Sequence, residues 1–219
     1  MKTTLLVPAV SLIACSVLLT NCAENPADNV PSAEVTEETT TVTETPAAAP
    51  DAEAVSYTFT DDSKIGFVGS KVTGSHEGGF EKFSGTFNVA EGKPGAGPHT
   101  IEIDMTSTWS DSDKLTKHLL SEDFFEVEKF PTSSFNLTQA TPADAPDKYN
   151  LSGDVTLHGV TKQISFPATI KEGPDGNVTL DAEFSINRKD FGIVFPGMPD
   201  DLIRDEVVIN LAMVAAPAQ

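Results

Sequence analysis

From Tyr57 onward, apolar and polar residues alternate in short runs, the spacing that sends successive side chains to opposite faces of a strand. Phe83, Gly85, Phe87 and Val89 share one face, with Ser84, Thr86 and Asn88 on the other. The same period runs through Ile101, Ile103 and Met105, through Phe135 and Leu137, and through Tyr149, Leu151, Gly153, Val155 and Leu157. It returns in Val178, Leu180, Ala182, Phe184 and Ile186, and again in Val207, Ile209 and Leu211. Turn-forming clusters separate the runs, at residues 91–95, 142–147, 158–159 and 173–176. Many strands joined by short turns predict an all-β sandwich or a closed antiparallel barrel. One stretch, residues 110–125, breaks the pattern. Leu115 and Leu119 lie four apart on one helical face, and Asp111 or Ser112 stands where a helix N-cap would. A short helix within residues 111–125 is therefore expected, covering or plugging one barrel end.

The chain begins differently. Lys2 precedes a mostly apolar run from Leu5 to Leu19 that Pro8, Ser11 and Ser16 interrupt. It is short and broken for a membrane span and has the form of an export signal. Leu19-Thr20-Asn21-Cys22 resembles a bacterial lipobox, which makes residues 1–21 a lipoprotein signal peptide and Cys22 the lipid anchor. Leu12-Ile13-Ala14-Cys15 fits the local pattern better, but it would leave Val17-Leu18-Leu19 on the mature chain and make the signal very short, whereas the chain turns polar right after Cys22. The expected location is outside the cytoplasm, on a membrane, facing the periplasm or cell exterior.

Behind Cys22, residues 23–56 are rich in Ala, Pro, Thr and acids, with no Lys, Arg or aromatic residue until Tyr57. Such a segment buries too little apolar surface to offset chain entropy. Residues 22–56 are thus expected to be a lipidated cysteine on a disordered acidic tether, about 30 Å or more in span. The folded domain is expected to occupy residues 57–219.

Charge narrows the partners. Lys and Arg number 14 against 33 Asp and Glu, a net charge of −19, which disfavours a nucleic-acid surface and anionic lipid heads. The only cysteines are Cys15 and Cys22, so the folded domain carries neither a disulfide nor a thiolate nucleophile. There is no Gly-x-Ser-x-Gly and no phosphate loop, so no enzymatic activity is expected. His76, His99, His118 and His158 show no metal-ligand spacing and are expected to hydrogen-bond at turns. Arg188, Asp190, Arg204 and Asp205 are expected to form an ion-pair clasp on the loop from Asn187 to Met198, or else a head-group contact.

Five pieces in register resemble one family. Lys71-Val72-Thr73-Gly74-Ser75-His76-Glu77-Gly78-Gly79-Phe80 leads into Phe83-Ser84-Gly85-Thr86-Phe87. His118-Leu119-Leu120-Ser121-Glu122-Asp123-Phe124-Phe125 follows, then Phe130-Pro131-Thr132. Leu151-Ser152-Gly153-Asp154-Val155-Thr156-Leu157-His158-Gly159-Val160-Thr161 and Asn187-Arg188-Lys189-Asp190-Phe191-Gly192-Ile193 complete the set. In this order they resemble the YceI-like family of bacterial exported proteins, from about Tyr57 to Val214. The resemblance implies an extended, lipocalin-like eight-stranded antiparallel barrel. It also implies a polyprenyl chain or isoprenoid quinone held in an apolar lumen, no resident cofactor, and dimerisation in some members. The first strand departs from the pattern, with Ile65-Gly66-Phe67-Val68-Gly69 where many members carry a Trp.

The inward residues are then expected to be Phe67, Phe83, Phe87, Ile103, Leu151, Val155, Leu180 and Phe184. Leu115 and Leu119 on the helix, and one of the adjacent Phe124 and Phe125, are expected to close the lumen. Alternation leaves two uses open for these side chains, a packed core or the lining of a tube. A filled barrel that works through its outer surface is the alternative to a lipid carrier.

Overall fold

The computed structural model describes residues 23–37 and 54–218. Residues 1–22, where the signal peptide and Cys22 anchor are expected, residues 38–53 and Gln219 lie outside the described residues.

The alternating runs form strands: β1 (Glu34–Glu37), β2 (Val55–Phe59), β3 (Lys64–Lys71), β4 (Gly74–Phe80), β5 (Phe83–Ala90), β6 (Lys93–Pro94), β7 (Thr100–Asp104) and β8 (Thr108–Ser110). After helix α1 (Asp113–Leu119) come β9 (Thr132–Pro142), β10 (Lys148–Leu157), β11 (Val160–Glu172), β12 (Val178–Asn187), β13 (Gly197–Met198) and β14 (Asp201–Pro217). Three pairs of short strands act as single wall strands. Both β2 and β3 run antiparallel to β14, β2 against residues 215–217 and β3 against residues 203–212. Likewise β4 and β5 pair with β3 and β2, and β7 and β8 pair with β5 and β4. Counted this way, eight strands follow one another around the wall in chain order, and the pairing of the last, β14, with β2 and β3 closes the ring. This is the closed eight-stranded antiparallel barrel, with one short helix, that the resemblance implies.

The breaks in the composite strands fall near one level. Ser63 occupies the first, its Oγ donating to the Val214 carbonyl and accepting from the Val214 amide, both at 2.9 Å. Glu81-Lys82 forms the second, and the 3-10 turn Met105–Ser107 forms the third. Above this level stands the end that carries α1, whose Ser112 cap accepts a hydrogen bond from the Leu115 amide. The turns at residues 72–73 and 158–159 and the loop 188–200 belong to the same end.

The first part of the segment expected to be a free tether, residues 23–37, behaves otherwise. Strands β11 and β12 pair over only four residues, Thr169↔Asp181 to Glu172↔Val178. Further along the same register Ser165 would face Ser185. Instead Ser165 faces Glu34, and β1 runs antiparallel along β11 to the Glu37↔Lys162 pair. On its other side the Ala33 amide donates to the Ser185 carbonyl at 2.8 Å, and the Ser185 amide donates to the Pro31 carbonyl at 2.9 Å. Residues 31–37 thus fill a seam between two strands that diverge. Ala33 is buried in the main core and Val35 packs against it, while Glu34, Thr36 and Glu37 point their polar groups outward. An acidic segment can do this because each neighbour supplies one hydrogen-bonding edge and only two side chains need to be apolar.

Candidate functional site

The interior is divided. In the half remote from the helix, Tyr57, Phe87, Leu151, Ile170, Val178 and Ala215 pack into a solid core. In the helix-capped half lies a cavity of about 200 Å³. Its lining comes from β3, β4, β7, β9, β10, β11, β12 and β14, and the lid is Leu119, Phe124 and Phe125. Two features make room here. The wall strands break at this level, and β1 adds a ninth strand to the circumference, which widens a barrel.

Of the residues expected to face a lumen, Phe67, Ile103, Val155 and Phe184 line the cavity, together with Leu119, Phe124 and Phe125 from the lid. Leu115 packs against the lid cluster without reaching the cavity. The others are placed differently. Phe87 and Leu151 are buried in the solid half, and Leu180 packs against that core. They face inward, but eight strands leave room only for side chains there. Phe83, first residue after the Glu81-Lys82 break, is half-buried and joins neither core cluster. Phe124 and Phe125 both face the cavity although adjacent. They sit in turns, with the Phe124 amide bonded to Ser121 and the Phe125 amide to Leu119, so strand alternation does not apply.

Phe80, Phe135, Phe166, Ile164, Ile186 and Ile209 also line the cavity. The period-two run Ile164-x-Phe166-x-Ala168-x-Ile170 is the signal that would have found two of them. Phe166 and Phe184 stack at 4.1 Å between ring centroids, where β11 and β12 begin to part. Phe67 lies across Gly78 so closely that a Cβ there would stand 2.3 Å from its ring. Glycine at that point lets the ring turn inward toward Phe80 and Phe125, 5.8 and 6.3 Å away.

Polar groups at the site serve structure. Arg188, 4 % exposed, touches the cavity wall. Its guanidinium donates to the Ile193 carbonyl at 2.7 Å, to the Arg204 carbonyl at 3.0 Å and to Asp205 at 3.4 Å. Burial lowers its pKa and Asp205 opposes the shift. This is the clasp on the 188–200 loop. Asp190 takes no part in it, and Lys189 bonds Asp205 at 2.8 Å instead. Lys71 pairs with Asp201, whose carboxyl is held below its ordinary pKa by that hydrogen bond. His99 accepts from the Asn88 amide, and its other ring nitrogen bonds the Gly95 carbonyl at 3.0 Å; burial lowers its pKa. His76 and His118 bond Asp111 and Asp123, each at 2.8 Å, and His158 bonds the Phe191 carbonyl at 3.1 Å. No cluster of three or more metal-ligating side chains exists among the described residues.

An apolar space with a lid and no convergent polar groups can hold hydrocarbon. At about 200 Å³ it takes roughly one or two five-carbon units, since a cavity of ~150 Å³ already admits benzene.

Residues 57–215 match the family described as the YceI-like domain. A UPF0312 protein of Pseudomonas putida is 33 % identical over 161 residues, covering 68 % of this chain and 82 % of the relative. A UPF0312 protein of Pseudomonas fluorescens is 31 % identical over 155 residues, covering 66 % and 79 %. Among solved structures, BcnA of Burkholderia cenocepacia superposes with a TM-score of 0.62 at 25 % identity, over 70 % of this chain and 96 % of that one. A domain from Saccharophagus degradans, described as polyisoprenoid-binding, gives 0.61 at 15 % identity, over 76 % and 100 %.

Proposed function

Since the chain belongs to the YceI-like family, we propose that it is an envelope lipoprotein that holds an apolar isoprenoid chain in the hollow half of its barrel. The carrying observation is the lidded cavity lined by Phe67, Phe80, Phe125, Phe166 and Phe184. Each buried methylene-sized group contributes about 0.8 kcal/mol, so ten give roughly 8 kcal/mol before the costs of association. Affinity then comes from the chain of the ligand, and head groups are discriminated weakly. The polyisoprenoid-binding description of the Saccharophagus domain agrees with this ligand class.

Organic-solvent extraction of the purified full chain, followed by mass analysis, tests the ligand. A recurrent long-chain isoprenoid is expected. An empty extract would return the protein to a filled barrel acting through its outer surface.

The anchor has its own test. Cys22→Ser is expected to move the protein from the membrane fraction to the soluble fraction, with Cys15→Ser leaving it in place. Loss of lipid labelling in Cys15→Ser alone would transfer the anchor to that residue.

A further inference from the structure

We propose that the helix-capped end of the barrel docks on a lipid bilayer of neutral, zwitterionic head groups, entering it with the hairpin Gly197–Leu202 and the turn at Val72, and that the same contact loosens the lid over the cavity. The docking stands on the exposed surface together with the anchor reading above, and what passes the lid rests on the carrier reading.

Six large hydrophobic side chains are exposed among the described residues, and four of them gather on this rim: Val72, Val194, Met198 and Leu202, at 40, 62, 65 and 50 %. Val72, Met198 and Leu202 form one patch, and Val194 stands on the loop that leads into it. The Val72 amide donates to the Leu202 carbonyl at 3.2 Å, and Gly197 pairs with Leu202 across the hairpin. Apolar side chains concentrated at one end of a strongly acidic protein mark a surface that meets something apolar.

The N-terminal chain says what that is. The Ala23 amide donates to the Val72 carbonyl at 3.3 Å, and the Ala23 carbonyl accepts from Arg204 Nη2 at 2.6 Å. Residue 22 is one Cα step, about 3.8 Å, from Ala23. The anchor at Cys22 that the lipoprotein reading gives therefore precedes a residue tied to the exposed patch. A membrane attachment made there brings this rim to the bilayer, with no long spacer between them.

Charge selects the lipid. Beside the hairpin and the Val72 turn, Lys71 pairs with Asp201, and Lys189 and Arg188 with Asp205. Lys114 and Lys117 on α1 and Arg204 are too few to gather anionic heads against a net charge of −19, which repels them.

The patch is also coupled to the lid. Phe195 follows Val194, and its ring packs at 5.0 Å from His118 and 5.4 Å from Phe124, the latter a cavity-lining residue. Drawing Val194 and Met198 into lipid pulls on Phe195 and so on the lid. A ligand longer than the cavity needs such an exit.

The test uses the full chain with Trp109→Phe, which removes the single tryptophan, and one reporter added by Met198→Trp or, at the opposite barrel end, by Val55→Trp. Each protein is reconstituted into phosphatidylcholine vesicles whose acyl chains carry bromine. The tryptophan at position 198 is expected to lose most of its fluorescence, and the one at position 55 to keep it. Val194→Trp provides a second rim reporter should the first disturb the hairpin. Equal quenching at both ends, or none at either rim position, overturns the proposal. An empty solvent extract would instead sink the carrier reading and leave the quenching result standing.

Discussion

Phe87→Lys is expected to unfold the domain. Phe87 is 4 % exposed in the solid half of the barrel, its ring 4.8 Å from that of His99. Removing a buried aromatic ring costs about 3–5 kcal/mol. The ammonium group that replaces it would have no carboxylate partner in that core and adds several kcal/mol more, even after a shift toward the neutral form. Against a total stability of about 5–15 kcal/mol, this removes most of the native population. Urea titration followed by circular dichroism should show no cooperative transition. Phe125→Ser is the contrasting case, because Phe125 is half-buried in the lid beside the hollow. It is expected to retain a cooperative melt and to lose extractable lipid. A cooperative melt near the wild-type midpoint for Phe87→Lys would mean that the remote half is not packed.

Deleting residues 23–37 is expected to lower stability by about 3 kcal/mol or more. The loss strips the Ser185 amide and carbonyl of their partners and leaves the β11 edge at residues 162–165 unpaired. Each buried polar group left without a partner costs about 1–3 kcal/mol. It also uncovers Ile164 and Ile186, which flank the seam and face the cavity. For a domain of this size about 3 kcal/mol corresponds to roughly 6–12 °C in melting temperature. Calorimetry of the shortened and full chains measures it directly. Equal midpoints would show that the segment is not part of the wall.

Much of the barrel was legible because one face of each strand is buried, which ties register to alternation. Val178 to Ile186 and Tyr149 to Leu157 read directly as β12 and β10, and Leu115 and Leu119 read as the inner face of α1. Which half of the interior is hollow was not legible. Alternation says that Phe87 and Phe184 both point inward, yet whether opposing side chains meet depends on the circumference at each level. That circumference is set by breaks such as Ser63 and by a strand from a distant segment. Residues 31–37 escape a composition-based reading for a related reason. Composition measures whether a segment can build its own core, and Pro31 to Glu37 does not need to. It borrows one, with Ala33 and Val35 sufficient to seat it.

That borrowed place has a consequence for the order of assembly. Strand β1 is the first of all the strands to be synthesised, but its slot exists only after β11 and β12 have been made and have begun to pair. The contact between Glu34 and Ser165 spans most of the chain, and closing so long a loop is slow compared with forming the hairpins of the meander. The seam is therefore expected to be the last part of the wall to close. Until it does, the slot offers the same edges to the equivalent strand of a neighbouring copy, so crowding during refolding favours exchange of this strand between molecules.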